Sequence, residues 1–157
     1  MRQQMSTIQK TVAVAAVFFL LASAGCGGPT VPPIVLATGV VTINGEPLPN
    51  AKVQFLPTAE GLDGNYMARA VTDDDGKFEL KMPGDKPGVC SGECIVVVKE
   101  GPTPGRRMTQ DALEEMESFR ESLANRPIPK AYQNAAETPL RITVKEGQTE
   151  YPVELKR

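Results

Sequence analysis

The sequence predicts an all-β protein, a two-sheet sandwich of seven strands with one inserted amphipathic helix near residues 110–125. Short β-branched or aromatic runs alternate along the chain with turns rich in Gly and Pro, each of which occurs 14 times in 157 residues. Two turn pairs, Asn44-Gly45 and Asp75-Gly76, tolerate positive φ angles and each separates two such runs. These two observations predict the fold class.

The first four strands flank the two turn pairs. We expect Val40–Ile43 to pair with Val53–Leu56, and Ala68–Thr72 to pair with Lys77–Leu80. In the last of these, two apolar residues alternate with charged ones, which predicts one buried and one solvated face. The other three predicted strands are Glu93–Lys99, Leu140–Lys145 and Glu150–Leu155, and the last two are joined by a turn at Glu146-Gly147-Gln148. Phe55 and Phe78 fall on the core side by strand phase, whereas Tyr66, Phe119, Tyr132 and Tyr151 are predicted surface aromatics.

A helical pattern interrupts the strands between residues 101 and 135. Asp111 is the predicted N-cap, with Glu114 at the third helical position, and the helix is expected to end near Asn125, ahead of Pro127. Ala112, Met116, Phe119 and Leu123 form one apolar stripe. The stripe predicts either a cover for a sheet edge or a binding element, and cover is favoured because the stripe must be buried somewhere.

The first 25 residues have the pattern of a secretory signal peptide. Arg2 and Lys10 precede an apolar run that is too short to span a bilayer, and small residues lead directly to Cys26. This order predicts a lipoprotein signal, with Cys26 becoming the acylated N-terminus; the alternative is ordinary cleavage with Cys26 left free. Residues 26–36, rich in Pro and Gly, are predicted to tether a domain that spans residues 37–157.

Charge and composition exclude several classes of function. Signal removal deletes two of 17 basic residues and none of 19 acidic ones, leaving 15 against 19. An acidic chain without a basic cluster argues against nucleic-acid binding. The chain has no histidine, which removes imidazole bases, Ser-His-Asp catalysis and histidine-ligated zinc. We therefore expect a protein that is not an enzyme and that needs no cofactor.

The acidic run Asp73-Asp74-Asp75-Gly76 has two interpretations. Clustered carboxylates bind hard cations, which makes Asp73 and Asp75 weak candidates for a calcium site. The spacing of an EF-hand is missing, and an acidic hairpin turn with Gly76 at positive φ is the favoured alternative.

Cys90 and Cys94 are the other two cysteines of the chain. In an oxidising compartment such a pair suggests a disulfide, which requires the intervening Ser91-Gly92 to form a tight turn. Free thiols, a redox-active pair and a soft-metal site are the alternatives, and a structural disulfide is favoured.

Two motifs carry a family resemblance. Residues 39–55 read G-x-V-x-x-N-G-x-P-L-x-x-A-x-V-x-F, and residues 72–80 read T-D-x-x-G-x-F-x-L. This order resembles the carboxypeptidase regulatory-like, or transthyretin-like (prealbumin-like), domains, which implies a Greek-key sandwich. Together with Ile128–Tyr132 and Thr138-Pro139-Leu140, the chain from residue 37 to 157 is similar to small envelope lipoproteins of planctomycete-type bacteria.

Two functional hypotheses follow. The first is a structural or protein-interaction module that is exported across the inner membrane and lipid-anchored in the cell envelope (periplasm or outer membrane). Its contact surface would lie between Gly101 and Tyr132, with Phe119 and Tyr132 as candidate contact residues. The second is a ligand-binding module, for glycan or calcium, that uses the Leu62–Tyr66 loop and the acidic turn.

Overall fold

Strands account for most of the regular structure in the computed structural model, which describes residues 31–103 and 110–157. The strands are β1 Ile34–Val35, β2 Thr38–Ile43, β3 Glu46–Pro47, β4 Ala51–Pro57, β5 Ala68–Val71, β6 Lys77–Glu79, β7 Lys81–Met82, β8 Lys86–Pro87, β9 Val89–Cys90, β10 Gly92–Glu100, β11 Arg141–Val144 and β12 Val153–Leu155. One α-helix, α1, spans Gln110–Ser122, and short 3-10 helices span Gly64–Tyr66 and Lys130–Tyr132. The predicted all-β class with one inserted helix is confirmed.

The larger sheet contains six strands in the order β11-β10-β4-β5-β7-β8, and all neighbours are antiparallel. Its longest strand, β10, is paired with β4 on one side and with β11 on the other. Val96 lies opposite Phe55, and Val98 lies opposite Val53, and all four side chains are buried. Such cross-strand pairs of β-branched and aromatic residues fit a pleated surface that faces a core.

A second sheet forms around β2. This strand pairs in parallel with β12, so that Val41 lies opposite Val153. On its other edge, β6 and β3 pair antiparallel with successive halves of the strand. The strand β12, near residue 155, thus lies beside β2, which begins at residue 38.

The core contains side chains from both sheets. The rings of Phe55 on β4 and Phe78 on β6 lie 6.2 Å apart at an angle of 50°, in a tilted pair. Gly39 is required beside this pair, because a Cβ there would lie 2.7 Å from the Phe78 ring. The largest fully buried side chains are Tyr151, Phe55, Ile43, Leu48, Leu80, Ile128, Leu155, Val41, Val53, Val89, Val96 and Val97. The predicted burial of both Phe55 and Phe78 is confirmed.

The predicted turns are present, but they do not join the predicted partners. Asn44 and Gly45 adopt φ angles of 51° and 85°, as a two-residue hairpin turn requires, and they connect β2 to the short β3. The segment that was predicted to pair with β2 lies in β4. This strand belongs to the larger sheet, where it pairs with β10 and β5. The expected pairing of Val40–Ile43 with Val53–Leu56 is therefore wrong.

The same holds for the second predicted hairpin, and the two closing strands, which were predicted to be joined by a turn, do not pair with each other either. Gly76 has the expected positive φ of 74°, but β5 before it pairs with β4 and β7, whereas β6 after it pairs with β2. Gly147 turns the chain between β11 and β12, which pair with β10 and β2 respectively. In each case the turn carries the chain from one sheet to the other.

Helix α1 begins earlier and ends earlier than predicted. Gln110 is already helical, so Asp111 lies in the first turn and is not the N-cap. The helix ends at Ser122, and Asn125 has a φ of 64°. The predicted end near Asn125 is thus three residues late, because the chain turns before it reaches Pro127.

The regular structure of the domain also begins earlier in the chain than predicted. Ile34 and Val35 form β1, which pairs with Cys90 and Val89, although these two residues fall in the predicted tether. The predicted signal peptide (residues 1–25) and Cys26 lie outside the described residues. Within the part of the chain that the structure describes, no helix is long and apolar enough to cross a membrane.

Candidate functional site

A groove of about 770 Å³ runs along one side of helix α1. Its other wall contains the end of β10 and the chain that follows the helix. The lining residues are Glu100, Leu113, Met116, Glu117, Arg120, Glu121, Leu123, Asn125, Arg126 and Pro127. The groove lies within the segment that the sequence predicts as the contact surface.

The floor of the groove along α1 is apolar and open to solvent. Leu113 and Met116, three residues apart, lie on one face of the helix, and Leu123 directly follows its last residue. Leu113 is 51% exposed, and Met116 and Leu123 are only half-buried. A leucine that loses its remaining exposure to a partner contributes favourably to binding, since burial of apolar surface releases about 25 cal/mol per Å².

The apolar stripe that the sequence predicts agrees only in part with the residues that line the groove. Met116 and Leu123 line the groove, whereas Phe119, the predicted contact residue, is half-buried and outside the lining. Leu113 was not part of the predicted stripe. Met116, Phe119 and Leu123 of the predicted stripe are half-buried, and the expected cover of a sheet edge stays a prediction.

The opposite wall is held by Arg126. Its Nε donates to the Glu100 carboxylate at 2.7 Å, and its Nη2 donates to the carbonyls of Pro49 at 2.7 Å and Asn50 at 3.2 Å. The side chains of Arg126 and Glu100 are only 7% and 22% exposed. The guanidinium thereby ties the end of β10 to the β3–β4 connection and to the chain after α1. The planar guanidinium group of arginine, which carries several N–H donors in fixed directions, suits this bridging role better than the ammonium group of lysine would.

Two further bonds fix the chain beside Arg126. Asn125 Nδ2 donates to the Pro47 carbonyl at 2.8 Å, and Arg157 Nη2 donates to the Arg126 carbonyl at 3.1 Å. The wall is therefore attached to the sandwich independently of α1. Sequence reasoning missed Arg126, since its partner Glu100 lies 26 residues away and no local pattern connects them.

The helix side of the groove is strongly acidic. Within α1, five acidic residues accompany one basic residue, Arg120. Glu117 and Glu121 line the groove, are exposed, and form no ion pair with a described residue. Arg126 is paired with Glu100, and the exposed Arg120 also lines the groove, so that Glu117 and Glu121 leave only a small excess of negative charge there.

Tyr132 is a structural residue and not an exposed contact. It is 8% exposed, and its hydroxyl accepts a hydrogen bond from the Lys156 N–H at 3.0 Å. Its neighbour Ile128 is 2% exposed. The predicted role of Tyr132 in contacts is wrong, because the side chain attaches the C-terminal residues to the core.

Tyr151 is likewise buried, at 2% exposure, although it was predicted to lie on the surface. Its hydroxyl accepts from the Lys145 N–H at 3.0 Å and lies 2.8 Å from the Gln148 carbonyl, to which it donates. A buried tyrosine is tolerated when its hydroxyl has partners, and the turn between β11 and β12 provides them. Tyr66, the remaining predicted surface tyrosine, is half-buried against the core.

The acidic turn is held by its own side chains. One Asp73 carboxylate oxygen accepts from the N–H groups of Asp75 at 3.0 Å and Lys77 at 2.8 Å. Lys77 Nζ contacts Asp75 at 2.9 Å, and this carboxylate raises the pKa of Lys77. The favoured interpretation as a hydrogen-bonded turn is confirmed. Within the described ranges, Asp, Glu and Cys form no group of three or more that could hold a metal ion.

The two elements of the predicted ligand site lie apart. The Leu62–Tyr66 loop precedes β5 and the acidic turn follows it, and a strand of four residues spans about 13 Å. Asp63 caps the 3-10 helix of this loop by accepting from the Asn65 N–H at 2.9 Å. The loop and the turn therefore do not form a joint site.

Cys90 and Cys94 are free thiols, so the predicted disulfide is absent from this structure. Cys90 lies opposite Ile34 on β1, whereas Cys94 lies opposite Ile142 on β11, and both side chains are buried. Burial raises the pKa of both thiols, that of Cys94 to about 11. A thiol that stays protonated is a poor nucleophile, which argues against a redox-active pair.

Comparisons with known proteins identify no relative of this chain: no family model, no curated protein and no solved structure matches it. The functional argument therefore rests on the groove beside α1.

Proposed function

We propose that this chain is a non-enzymatic lipoprotein of the bacterial cell envelope, and that its sandwich acts as a protein-interaction module through the groove beside α1. The observation that carries the proposal is a solvent-open apolar stripe on a helix, facing a wall that Arg126 holds rigid. Exposed apolar grooves on small domains are typical of contact surfaces. The absence of histidine from the sequence supports a role without catalysis.

The fold proposal is finer than the all-β class. We propose a Greek-key sandwich related to the transthyretin-like, carboxypeptidase regulatory-like domains. Its support is the order of turn motifs, with Asn44-Gly45 and Gly76 in the positive-φ conformations that the motifs require.

The membrane anchor is proposed at Cys26, through acyl chains added after signal cleavage. The test is the intact mass and detergent partitioning of the protein from its native envelope, compared with a Cys26→Ser variant. We expect an acylated mass and detergent-phase partitioning that both disappear in the variant. A soluble, unmodified chain that begins near residue 26 would contradict the anchor.

The interaction role is tested by site-specific crosslinking in the envelope. A photoreactive residue at Leu113, in the groove, should form a discrete crosslinked product. The same residue at Arg141, on the exposed edge strand β11, is the matched control and should form none. Equal crosslinking at the two positions, or none at either, would contradict the proposed function.

A ligand-binding role, for glycan or calcium, is the weaker proposal because its loop and turn lie at opposite ends of β5. A thermal melt tests it, since a ligand at 100 times its Kd stabilises by about 2.7 kcal/mol. We expect no shift in the melting temperature with calcium, chelator or soluble cell-wall glycan.

A further inference from the structure

The chemistry of the groove restricts the kind of partner that fits it. Three features combine: an apolar stripe (Leu113, Met116 and Leu123), two exposed carboxylates beside it (Glu117 and Glu121) that outnumber the one exposed arginine (Arg120), and a wall already neutralised by its own ion pair. A partner must therefore bring apolar side chains for the stripe and positive charge for the rim.

We propose that the groove binds a basic amphipathic segment of a partner protein, one whose apolar face is flanked by Lys or Arg. This inference rests on the proposed interaction function and specifies the partner's chemistry. Helix-in-groove recognition uses apolar anchors at positions such as i, i+3 and i+7 of the bound segment.

A second copy of this chain fits the groove poorly. A two-fold contact through this surface would bring α1 against its own copy, and Glu117 and Glu121 of each helix would lie near those of the other. Like charges at short range oppose such a contact. A dimer through the groove is thus disfavoured.

A bilayer surface is also a poor occupant. Amphipathic helices that bind membranes carry Lys and Arg on their polar face, whereas α1 carries Asp and Glu with a single arginine. Anionic headgroups would repel it. A basic peptide segment is therefore the occupant whose charge complements that of the groove.

The experiment uses the full mature chain and three synthetic helical peptides of about 14 residues. The first has apolar residues at i, i+3 and i+7 with Lys and Arg beside them; the second replaces the basic residues with Glu; the third keeps the basic residues and replaces the apolar ones with Ser. Binding is measured by fluorescence anisotropy at low and high salt. Only the first peptide should bind, and its affinity should fall as salt rises.

Variants locate the binding. The double variant Glu117→Lys, Glu121→Lys should weaken the first peptide about tenfold or more at low salt, because two charge contacts of about 0.5–1 kcal/mol become repulsive. The matched control is Glu60→Lys, Glu146→Lys, which makes the same net-charge change in exposed loops and should alter the affinity less than about threefold. Leu113→Ser should weaken binding about fivefold without loss of stability, since the side chain is half exposed.

Several results would overturn the inference. These are no binding of the first peptide, equal binding of the third peptide, and equal effects of the two charge variants. A dimer in sedimentation that Leu113→Ser dissociates would instead assign the groove to a second copy, and vesicle binding that the same variant abolishes would assign it to lipid. If the peptide experiments fail in one of these ways while crosslinking at Leu113 persists in the envelope, the interaction function stands and only the proposed chemistry of the partner is wrong.

Discussion

Replacing Arg126 with Met should destabilise the protein by about 3 kcal/mol. The substitution keeps much of the aliphatic length but removes the donor at 2.7 Å from Glu100 and the donors to the carbonyls of Pro49 and Asn50. Breaking a buried ion pair from one side costs about 3–5 kcal/mol, because the partner charge is left unpaired. Glu100 keeps 22% of its exposure, which allows partial hydration and places the expected value at the lower end of that range.

The assay is equilibrium unfolding in urea of the mature chain. With a slope of about 1.5 kcal/mol per molar urea, the midpoint should fall by about 2 M while the slope stays constant. Lys77→Met is the matched control, because the Lys77–Asp75 pair has a similar distance of 2.9 Å but is 61% and 72% exposed. Exposed pairs contribute about 0–1 kcal/mol, so the control midpoint should shift little.

A second substitution tests the reasoning further. Adding Glu100→Gln to the Arg126 variant should restore part of the lost stability, because the unpaired buried charge disappears. A loss below about 1 kcal/mol for Arg126→Met, or a loss equal to that of Lys77→Met, would refute the claim that this ion pair holds the wall of the groove.

Three further predictions concern the sandwich itself, and a fourth concerns the dependence of its stability on pH. Tyr151→Phe should lower the free energy of unfolding by about 1–2 kcal/mol, measured in urea, because the Lys145 N–H and the Gln148 carbonyl lose the hydroxyl that they bond. Gly76→Ala should cost more than about 1 kcal/mol in the same assay, since φ is 74° and a Cβ would lie 2.6 Å from a strand carbonyl. In a Cys26→Ser chain, Cys90 and Cys94 should resist an aromatic disulfide reagent at pH 8 until urea is added. Because the pKa of Cys94 is raised from 9.0 to about 11, its thiol should also reduce the stability as pH rises from about 9 to about 11, where only the unfolded chain ionises.

Controls for these three are available in the chain. Tyr66→Phe should change stability less than Tyr151→Phe, because its hydroxyl bonds no described residue. Gly147→Ala shares a positive φ of 81° but has open space around the added Cβ, so a cost equal to that of Gly76→Ala would contradict the close-approach argument. An unfolded chain two hydrogen atoms lighter than the dithiol, with no reactive thiol, would show a Cys90–Cys94 disulfide and contradict this structure.

Features that depend on a few neighbouring residues were predictable from the sequence. The positive φ angles at Asn44-Gly45 and Gly76 follow from residue types that tolerate them, whatever the rest of the chain does. The burial of Phe55 and Phe78 follows from the alternation of apolar and polar residues along each strand. Both are local signals.

Strand partners and the groove depend on distant residues, and local patterns do not encode them. The sequence predicted that β2 pairs with the segment that follows Asn44-Gly45 and now forms β4. In the structure β2 pairs instead with β6 and β12, through three residues each. The ion pair of Arg126 with Glu100 and the burial of Tyr132 against Lys156 join segments far apart in sequence. The helix beside the groove and two of the apolar residues that line the groove were predictable from the sequence. The opposite wall, which Arg126 holds, was not.

The parallel pairing of β2 with β12 has a consequence for how the protein is made. Because Val41 lies opposite Val153, which is far away in the sequence, the second sheet lacks one of its strands until β12 has been synthesised. A nascent chain emerging from the ribosome therefore cannot finish its native fold early, and non-local pairing of this kind is slow to form. In the export that we propose for this chain, β2 would lack its parallel partner until β12 had also crossed the membrane.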